Sequence, residues 1–346
     1  MKFLITAAGT GGHVFPALEF ARECINQKHE VIWVGTTKGF ESKIVPEHDI
    51  QLLTVPMSGF RGKGFLDQIK SIIRLVISTI KTIFYIFHHR INFVVCFGGY
   101  VSLPVGIAAI ICGKYLILHE QNSVLGTSNK LLTRFAKIVF LGFPLHQGKK
   151  KNMQIVGNPI RAFDTNQDFN RATSETIKIY VTGGSQGSEF INNNIPIAIN
   201  SLDASLNIKH QSGVNKSEGV KDLYSSKITV EVAEFYQSPQ EIIRWSDFVI
   251  CRAGALTLSE VSSLGRGCLM IPLPSSIDNH QLLNAQEISN LKKGLIHEEH
   301  ESLNLLSNRL QKIYNKKLYL NWQNPVSKID HLQASKRMLS SILKII

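Results

Sequence analysis

KFLITAAGTGGHVFPALEF, residues 2–20, decides the fold. A short apolar strand (2–7) enters a glycine turn, and helix signals follow Pro16 at Ala17, Leu18, Phe20, Ala21, Cys24 and Ile25. Glycine permits positive φ and brings backbone N–H groups close to a ligand. The helix N-terminus that follows such a turn favours negative charge. A dinucleotide fingerprint would add a third glycine and, about 20 residues on, an acid. Here Gly9-x-Gly11-Gly12 runs into His13 and Val14, and strand 30–34 ends in Gly35-Thr36-Thr37. A nicotinamide or flavin site is therefore disfavoured. The missing GK[ST] removes the nucleoside triphosphatase loop as well.

The second half repeats the pattern. Strand 177–182 runs into VTGGSQGS (181–188), and a helix is predicted over 187–202. Ser185 and the N–H groups around Gly184–Gly187 suit phosphate oxygens; a tight turn in a crowded sheet is the plainer use. Between the two turns, strands are expected near 50–55, 93–97, 115–118 and 137–140, with helices over 66–87, 102–112 and 128–135. After the second come strand 228–230, a helix near 239–245, strand 247–251, a helix opening near 255, strand 268–271, and polar helices to the end. Short apolar strands separated by helices mean parallel sheets covered on both faces. GNPIRAFD (157–164) and the polar stretch behind it put a boundary near 162. The fold class is α/β, with two domains of similar design.

Composition agrees. At 346 residues the chain exceeds one ordinary core. With 44% hydrophobic residues, 25 Gly and 11 Pro, it is neither coiled coil, collagen nor disordered. Lys and Arg number 38 against 26 acids, and the resulting +12 calls for an anionic partner: nucleic acid, a membrane surface or a phosphorylated substrate. Cys24, Cys96, Cys112, Cys251 and Cys268 form no CxxC pair, which fits buried thiols in a reducing compartment. The first residues read as a strand rather than a signal peptide. Window 91–113 has no charged residue, but Asn92, Gly98–Gly99 and Pro104 interrupt it. It is expected to be sheet core and a short buried helix, not a membrane span.

Candidate chemistry gathers at strand ends, where open parallel sheets bind ligands. His13 follows the first turn and can take a proton from a hydroxyl, since a histidine titrates near pH ~6.5; capping or ligand-holding is its alternative. His119-Glu120-Gln121-Asn122 follows strand 115–118 and reads as polar ligand recognition, or else as a solvated loop. CRAGALTLSE (251–260) carries Glu260, a carboxylate suited to paired ribose hydroxyls or simply a surface acid. PLPSSIDNHQLLNA (272–285) groups Asp278, Asn279, His280, Gln281 and Asn284, whose side chains suit sugar hydroxyls. CFGGY (96–100) needs only close packing to explain it, with the lining of a shared cleft as its alternative. No His, Cys, Asp or Glu spacing indicates a metal site, and no GxSxG elbow occurs.

KGFLDQIKSIIRLVISTIKTIFYIF (63–87) places Lys63, Lys70, Arg74 and Lys81 within about 40° on a helical wheel. Leu66, Ile69, Ile73, Val76, Ile77, Ile80, Phe84 and Phe87 form an apolar face beside that line, and Leu75, Tyr85 and Ile86 lie beyond it. Part of the face is expected to pack on the sheet, and the excess beside a basic line predicts a membrane-surface helix. Basic residues alternating with aliphatics argue against a nucleic-acid groove.

Together, GTGGHVFPAL (9–18), FGGYVSLP (97–104), HEQNSVLG (119–126), VGNPIR (156–161), TGGSQGS (182–188), CRAGALTLSE (251–260) and DNHQLLNA (278–285) closely resemble one bacterial family. It is the undecaprenyldiphospho-muramoylpentapeptide β-N-acetylglucosaminyltransferases, which convert lipid I to lipid II. The resemblance implies a GT-B fold of two Rossmann-like domains facing a deep cleft. It implies an acceptor-binding, membrane-associating domain at 1–161, a UDP-sugar domain at 162–327, and a C-terminal helix within 328–346 returning to the first domain. It assigns His13 as base. To the donor, UDP-N-acetylglucosamine, it assigns Thr10, Gly11, Gly12, Arg161, Ser185, Gln186, Gly187, Phe235, Tyr236, Ala255, Leu256, Thr257, Glu260 and Gln281. The Tyr236 contact, beside uracil, would be through backbone. To the acceptor it assigns His119, Glu120 and Asn122. No metal or other cofactor is implied. The implied partners are lipid I, an anionic membrane and other cell-wall synthesis proteins, without nucleic acid, at the cytoplasmic membrane face. A different acceptor, a sugar-nucleotide epimerase, or a non-catalytic nucleotide-binding scaffold are the alternatives.

Overall fold

The computed structural model describes residues 1–58, 65–146, 148, 150–161, 163, 175–323 and 329–345, with side chains from 69 onward in the second segment. Lys63, the Leu66 side chain, residue 162, and 328 and 346 lie outside the described residues. The chain divides into two compact units, Met1–Arg161 with Ile329–Ile346, and Ala162–Lys328.

Unit 1 runs β1 (Lys2–Thr6), α1 (Gly11–Asn26), β2 (Glu30–Gly35), α2 (Glu41–Ile44), β3 (Gln51–Thr54), α3 (Phe65–His88), β4 (Phe93–Cys96), α4 (Ser102–Ile111), β5 (Tyr115–Glu120), α5 (Thr127–Leu132), β6 (Ile138–Leu141) and β7 (Met153–Ile155). Its strands form one parallel sheet in the order β3-β2-β1-β4-β5-β6-β7. The order reverses between β1 and β4, so the first glycine turn lies at the switch point, where parallel sheets receive ligands.

Helix α1 begins at Gly11, ahead of the expected start, and contains Pro16. The earlier start puts His13 in the first helical turn. Window 91–113 becomes β4, a turn and α4, with Val94, Val95, Val105 and Ala108 fully buried.

Unit 2 runs β8 (Ile177–Thr182), α6 (Glu189–Ile199), β9 (Leu206–Gln211), β10 (Thr229–Ala233), α7 (Pro239–Trp245), β11 (Phe248–Cys251), α8 (Ala255–Ser263), β12 (Cys268–Met270), α9 (His280–Asn290), β13 (Gly294–Ile296), α10 (Leu303–Asn315) and α11 (Leu318–Asn321). The parallel order β10-β9-β8-β11-β12-β13 again reverses beside the strand that feeds the glycine turn. Helix α12 (Ala334–Leu343) belongs to unit 1, where Met338, Leu339 and Ile342 join the core containing Val14, Ala17, Leu18 and Ala21.

Strands β7, β9 and β13 escape the sequence reading. The first and last are three residues each. The middle one, LNIKHQ, looks polar because its buried His210 is satisfied by the Tyr224 hydroxyl and Asn192 Oδ1, at 2.9 and 3.1 Å.

Helix α3 corrects a second expectation. Its apolar face does not pack on the protein. Ile69, Ile72, Ile73, Val76, Ile77, Ile80, Phe84 and Phe87 are all exposed, the last three by 61–63%. The buried face carries Ser71, Ser78, Thr79, Thr82 and Ile86, with Leu75, Ile83 and Tyr85 packed partly against the core. Thr79 and Thr82 donate their hydroxyls back to the carbonyls of Leu75 and Ser78, at 2.9 and 2.7 Å. Small side chains with internal hydrogen bonds allow that close seat, and the bulky aliphatics are left outward.

Candidate active site

In unit 1, Thr10 is the extended N-cap of α1 and makes no side-chain cap, and the first turn holds no acid. The opening of α1 is thus uncapped by side chains, a start that favours negative charge. Half-buried His13 places Nδ1 2.9 Å from Gln121 Oε1. Gly98, at φ +101°, lies against the ring, and a Cβ there would come 3.0 Å from His13 Nδ1 and Cε1. Ser102 pins Gly98 by donating its hydroxyl to the Gly98 carbonyl at 2.7 Å and accepting the Gly98 N–H at 3.1 Å. The turn at 97–99 therefore does more than pack.

Residues 119–122 do not act as one polar patch. Strand alternation sends His119 and Gln121 one way and Glu120 the other. His119 is fully buried, donates Nε2–H to the Gly157 carbonyl at 3.0 Å, and stacks on Phe97. Burial lowers its pKa to about 4, against a smaller opposing effect of the Gly157 bond. Glu120 is 2% exposed and accepts from Asn122 N and Nδ2, Gly126 N and Asn129 Nδ2 at 2.8–3.2 Å. Both were expected to touch the acceptor. Their polar atoms instead build the loop, because a buried carboxylate or imidazole must be satisfied by its own fold. Asn122 remains half-buried at the loop's edge, held by Glu120. Gln121, the residue that bonds His13, was read from sequence only as one of four polar residues after the strand and given no role of its own; its place two positions after His119, on the same face, was the available signal.

Arg161 is exposed at the end of unit 1, and its charge acts on Glu19 and His48. Burial raises the pKa of Glu19, and Arg22 and Arg161 oppose that shift.

In unit 2, Ser185 and Gln186 are exposed on the turn after β8. Gly187 has φ +69°, and a Cβ there would meet the Ser212 carbonyl at 1.9 Å, so only glycine fits. The next helix does not present a bare N-terminus. Ser188 Oγ accepts from Ile191 N at 3.3 Å, and Glu189 puts a negative charge in the first turn.

Helix α8, fed by the neighbouring strand β11, starts without a side-chain cap. Its N-cap is Gly254, its first turn of Ala255, Leu256 and Thr257 has no acid, and Glu260 lies one turn on. Gln240 donates Nε2–H to Glu260 Oε1 at 2.8 Å, a support absent from the sequence reading. Gln281 accepts from Leu273 N at 3.0 Å through Oε1, which leaves its amide as a donor. Asn284 is buried and donates to the Ala253 carbonyl at 3.2 Å, so it braces the turn before α8.

Phe235 is exposed. The backbone N–H of Tyr236 donates to Gln211 Oε1 at 3.1 Å, and the Tyr236 hydroxyl donates to Glu231 at 2.9 Å. Gln211 also donates to the Gly184 carbonyl at 3.1 Å and so ties that segment to the glycine turn.

Among the described residues no group of three or more His, Cys, Asp or Glu is placed to hold a metal ion. None of the described helices is long and apolar enough to cross a membrane.

Comparison with known proteins points one way. Residues 3–141 match the N-terminal domain of glycosyltransferase family 28, and residues 178–338 match its C-terminal domain. The chain is 37% identical over 312 residues to a UDP-N-acetylglucosamine–N-acetylmuramyl-(pentapeptide) pyrophosphoryl-undecaprenol N-acetylglucosamine transferase of Histophilus somni, covering 87% of this chain and 85% of that one. It is 39% identical over 309 residues to the Francisella tularensis transferase of the same name, covering 85% and 83%. A crystal structure of Acinetobacter baumannii MurG superposes with TM-score 0.86 at 29% identity over 99% of both chains. A putative UDP-N-acetylglucosamine 2-epimerase from Listeria monocytogenes, at 13% identity and TM-score 0.66, shares the fold alone.

Proposed function

The chain belongs to glycosyltransferase family 28, among the transferases that add N-acetylglucosamine to lipid I, and from that premise we propose how its residues divide the reaction. The fold is GT-B, and the reaction moves N-acetylglucosamine from UDP-N-acetylglucosamine to lipid I, forming lipid II. Unit 1 carries the groups that act on the acceptor, and unit 2 those that hold the donor.

The acceptor's C4 hydroxyl attacks the anomeric carbon of the sugar. UDP departs from the opposite side, so an α linkage becomes β in one displacement. His13 takes the hydroxyl proton. The departing diphosphate gains charge as the bond breaks. The uncapped first turn of α8 and Ser185 stabilise that charge. Glu260, steadied by Gln240, accepts from the ribose hydroxyls. Gln281 donates to the transferred sugar. Thr10, Gly11 and Gly12 offer the open first turn of α1.

One observation carries this division: His13 stands in the uncapped first turn of α1 with one ring nitrogen held by a side-chain amide. Labelled UDP-N-acetylglucosamine and a lipid I analogue, with UDP-N-acetylgalactosamine competing, provide the test. Labelled lipid II that resists the competitor is expected; donor binding without transfer would sink the reading.

We further propose that the enzyme sits peripherally on the cytoplasmic membrane face through α3. Its outward aliphatics and phenylalanines are flanked by Lys70, Arg74 and Lys81, the composition of an interfacial helix on anionic lipid. Ile73→Asp with Ile77→Asp should abolish co-sedimentation with anionic vesicles while soluble-acceptor turnover persists. Unchanged sedimentation would reject α3 as the contact.

A further inference from the structure

The environment of His13 is more specific than a general base requires. Its Nδ1 meets Gln121 Oε1, and the orientation of that amide is dictated by its other neighbours. Gln121 Nε2 lies 2.9 Å from the Phe97 carbonyl, which can only accept, so the amide nitrogen must face Phe97 and the oxygen must face His13. The second N–H of the same nitrogen points to His119 Nδ1 at 3.1 Å. That nitrogen is a bare acceptor, because His119 spends its one proton at Nε2 on the Gly157 carbonyl at 3.0 Å. Burial keeps His119 neutral, with a pKa of about 4, so Nδ1 stays unprotonated near neutrality.

The chain of bonds thus has two backbone carbonyls as fixed ends and one consistent proton assignment between them. Reversing the Gln121 amide would set oxygen against oxygen at Phe97 and a lone pair against a lone pair at His119. Since the amide oxygen can only accept, His13 must carry its proton on Nδ1. Gly98, pinned by Ser102, packs against the ring and helps to hold its plane.

We propose that Gln121 is a positioning residue that locks His13 in the Nδ1–H tautomer and so presents Nε2 as the nitrogen that accepts the acceptor's hydroxyl proton. This rests on His13 being the base. Free imidazole favours the Nε2–H form, in which the lone pair would lie buried against Gln121. Gln121 reverses that preference before substrate arrives.

The experiment is long-range proton–nitrogen NMR on the full chain carrying nitrogen-labelled histidine, recorded where His13 is neutral, alongside steady-state kinetics. The wild type should show His13 protonated at Nδ1. Gln121→Met should shift it toward the Nε2–H form and lower kcat by about 10²-fold, with the KM for UDP-N-acetylglucosamine within about twofold. Gln121→Glu, which keeps an acceptor toward His13, should retain the Nδ1–H form. A wild-type His13 protonated at Nε2 overturns the inference and requires no variant to fold. A Gln121→Met protein with an unchanged tautomer overturns it too, even if kcat falls. A shifted tautomer with unchanged kcat leaves the lock standing but removes His13 as base, so the two readings fail separately.

Discussion

The two glycine turns look alike in sequence and sit at equivalent switch points, yet the helices they feed are electrostatically opposite. The turn before α1 leads to a helix with no side-chain cap and no acid in its first turn. The turn before α6 leads to one capped by Ser188 and opened by Glu189. In unit 2 the helix fed by the neighbouring strand, α8, starts with neither a side-chain cap nor an acid in its first turn. A strand–glycine–helix motif therefore does not by itself show which helix start is left open. That choice depends on which cap side chains have already satisfied the helix start.

The largest effect that would break this contrast is at the first turn. His13→Ala should lower kcat about 10²- to 10⁴-fold with little change in donor affinity, measured by turnover and by titration with UDP. Near-normal turnover would make the first turn a ligand cradle like any other.

Glu260→Ala should weaken UDP binding by about 10- to 100-fold, since hydrogen bonds to a charged group are worth roughly 1.5–3 kcal/mol. Gln240→Ala should have a smaller effect in the same direction. Calorimetric titration with unchanged affinity for both would move the ribose away from α8.

Acid should separate the units next. Burial lowers the pKa of His119 to about 4 and of His331 to about 3 in unit 1, and of His210 to about 4 in unit 2. In each case the unfolded chain binds the proton first as pH falls. This stability is complete above about pH 6.5 and is lost on the way down to the folded values. Near pH 5 the loss is about 2 kcal/mol for each histidine, so unit 1 should weaken more than unit 2. Calorimetry across that range should show a flatter dependence for His331→Gln; an unaltered slope would contradict the burial argument.

The smallest effect sharpens the contrast. Ser188→Ala should cost about 1 kcal/mol of unfolding free energy while leaving UDP affinity within about twofold. A large loss of affinity would mean that α6 holds phosphate after all.

Much of the fold was legible because burial on both faces of a parallel sheet leaves apolar runs such as FVVC (93–96) and FVIC (248–251). The three-residue β7 and β13 carry too little pattern to be seen, and His210 disguises β9. At the site, His13, Ser185 and Glu260 were visible as chemical types in strand-end loops. His119 and Glu120 were equally visible, but sequence does not show that their polar atoms are already satisfied by the loop.

The order of glycine turns and apolar strands determined by itself the two parallel-sheet units, and the motifs carried the resemblance that implied the family and the reaction. Those features are local in the chain, and backbone sterics and burial act on them directly. Only the tertiary structure decided that α3 turns its small hydroxyl residues inward and its aliphatics outward, that α8 rather than α6 starts uncapped, and that Gln121 sets the proton on His13. Each depends on partners far apart in the chain, such as His13 with Gln121 and Gln121 with Phe97, whose hydrogen-bond geometry exists only once the sheet has formed.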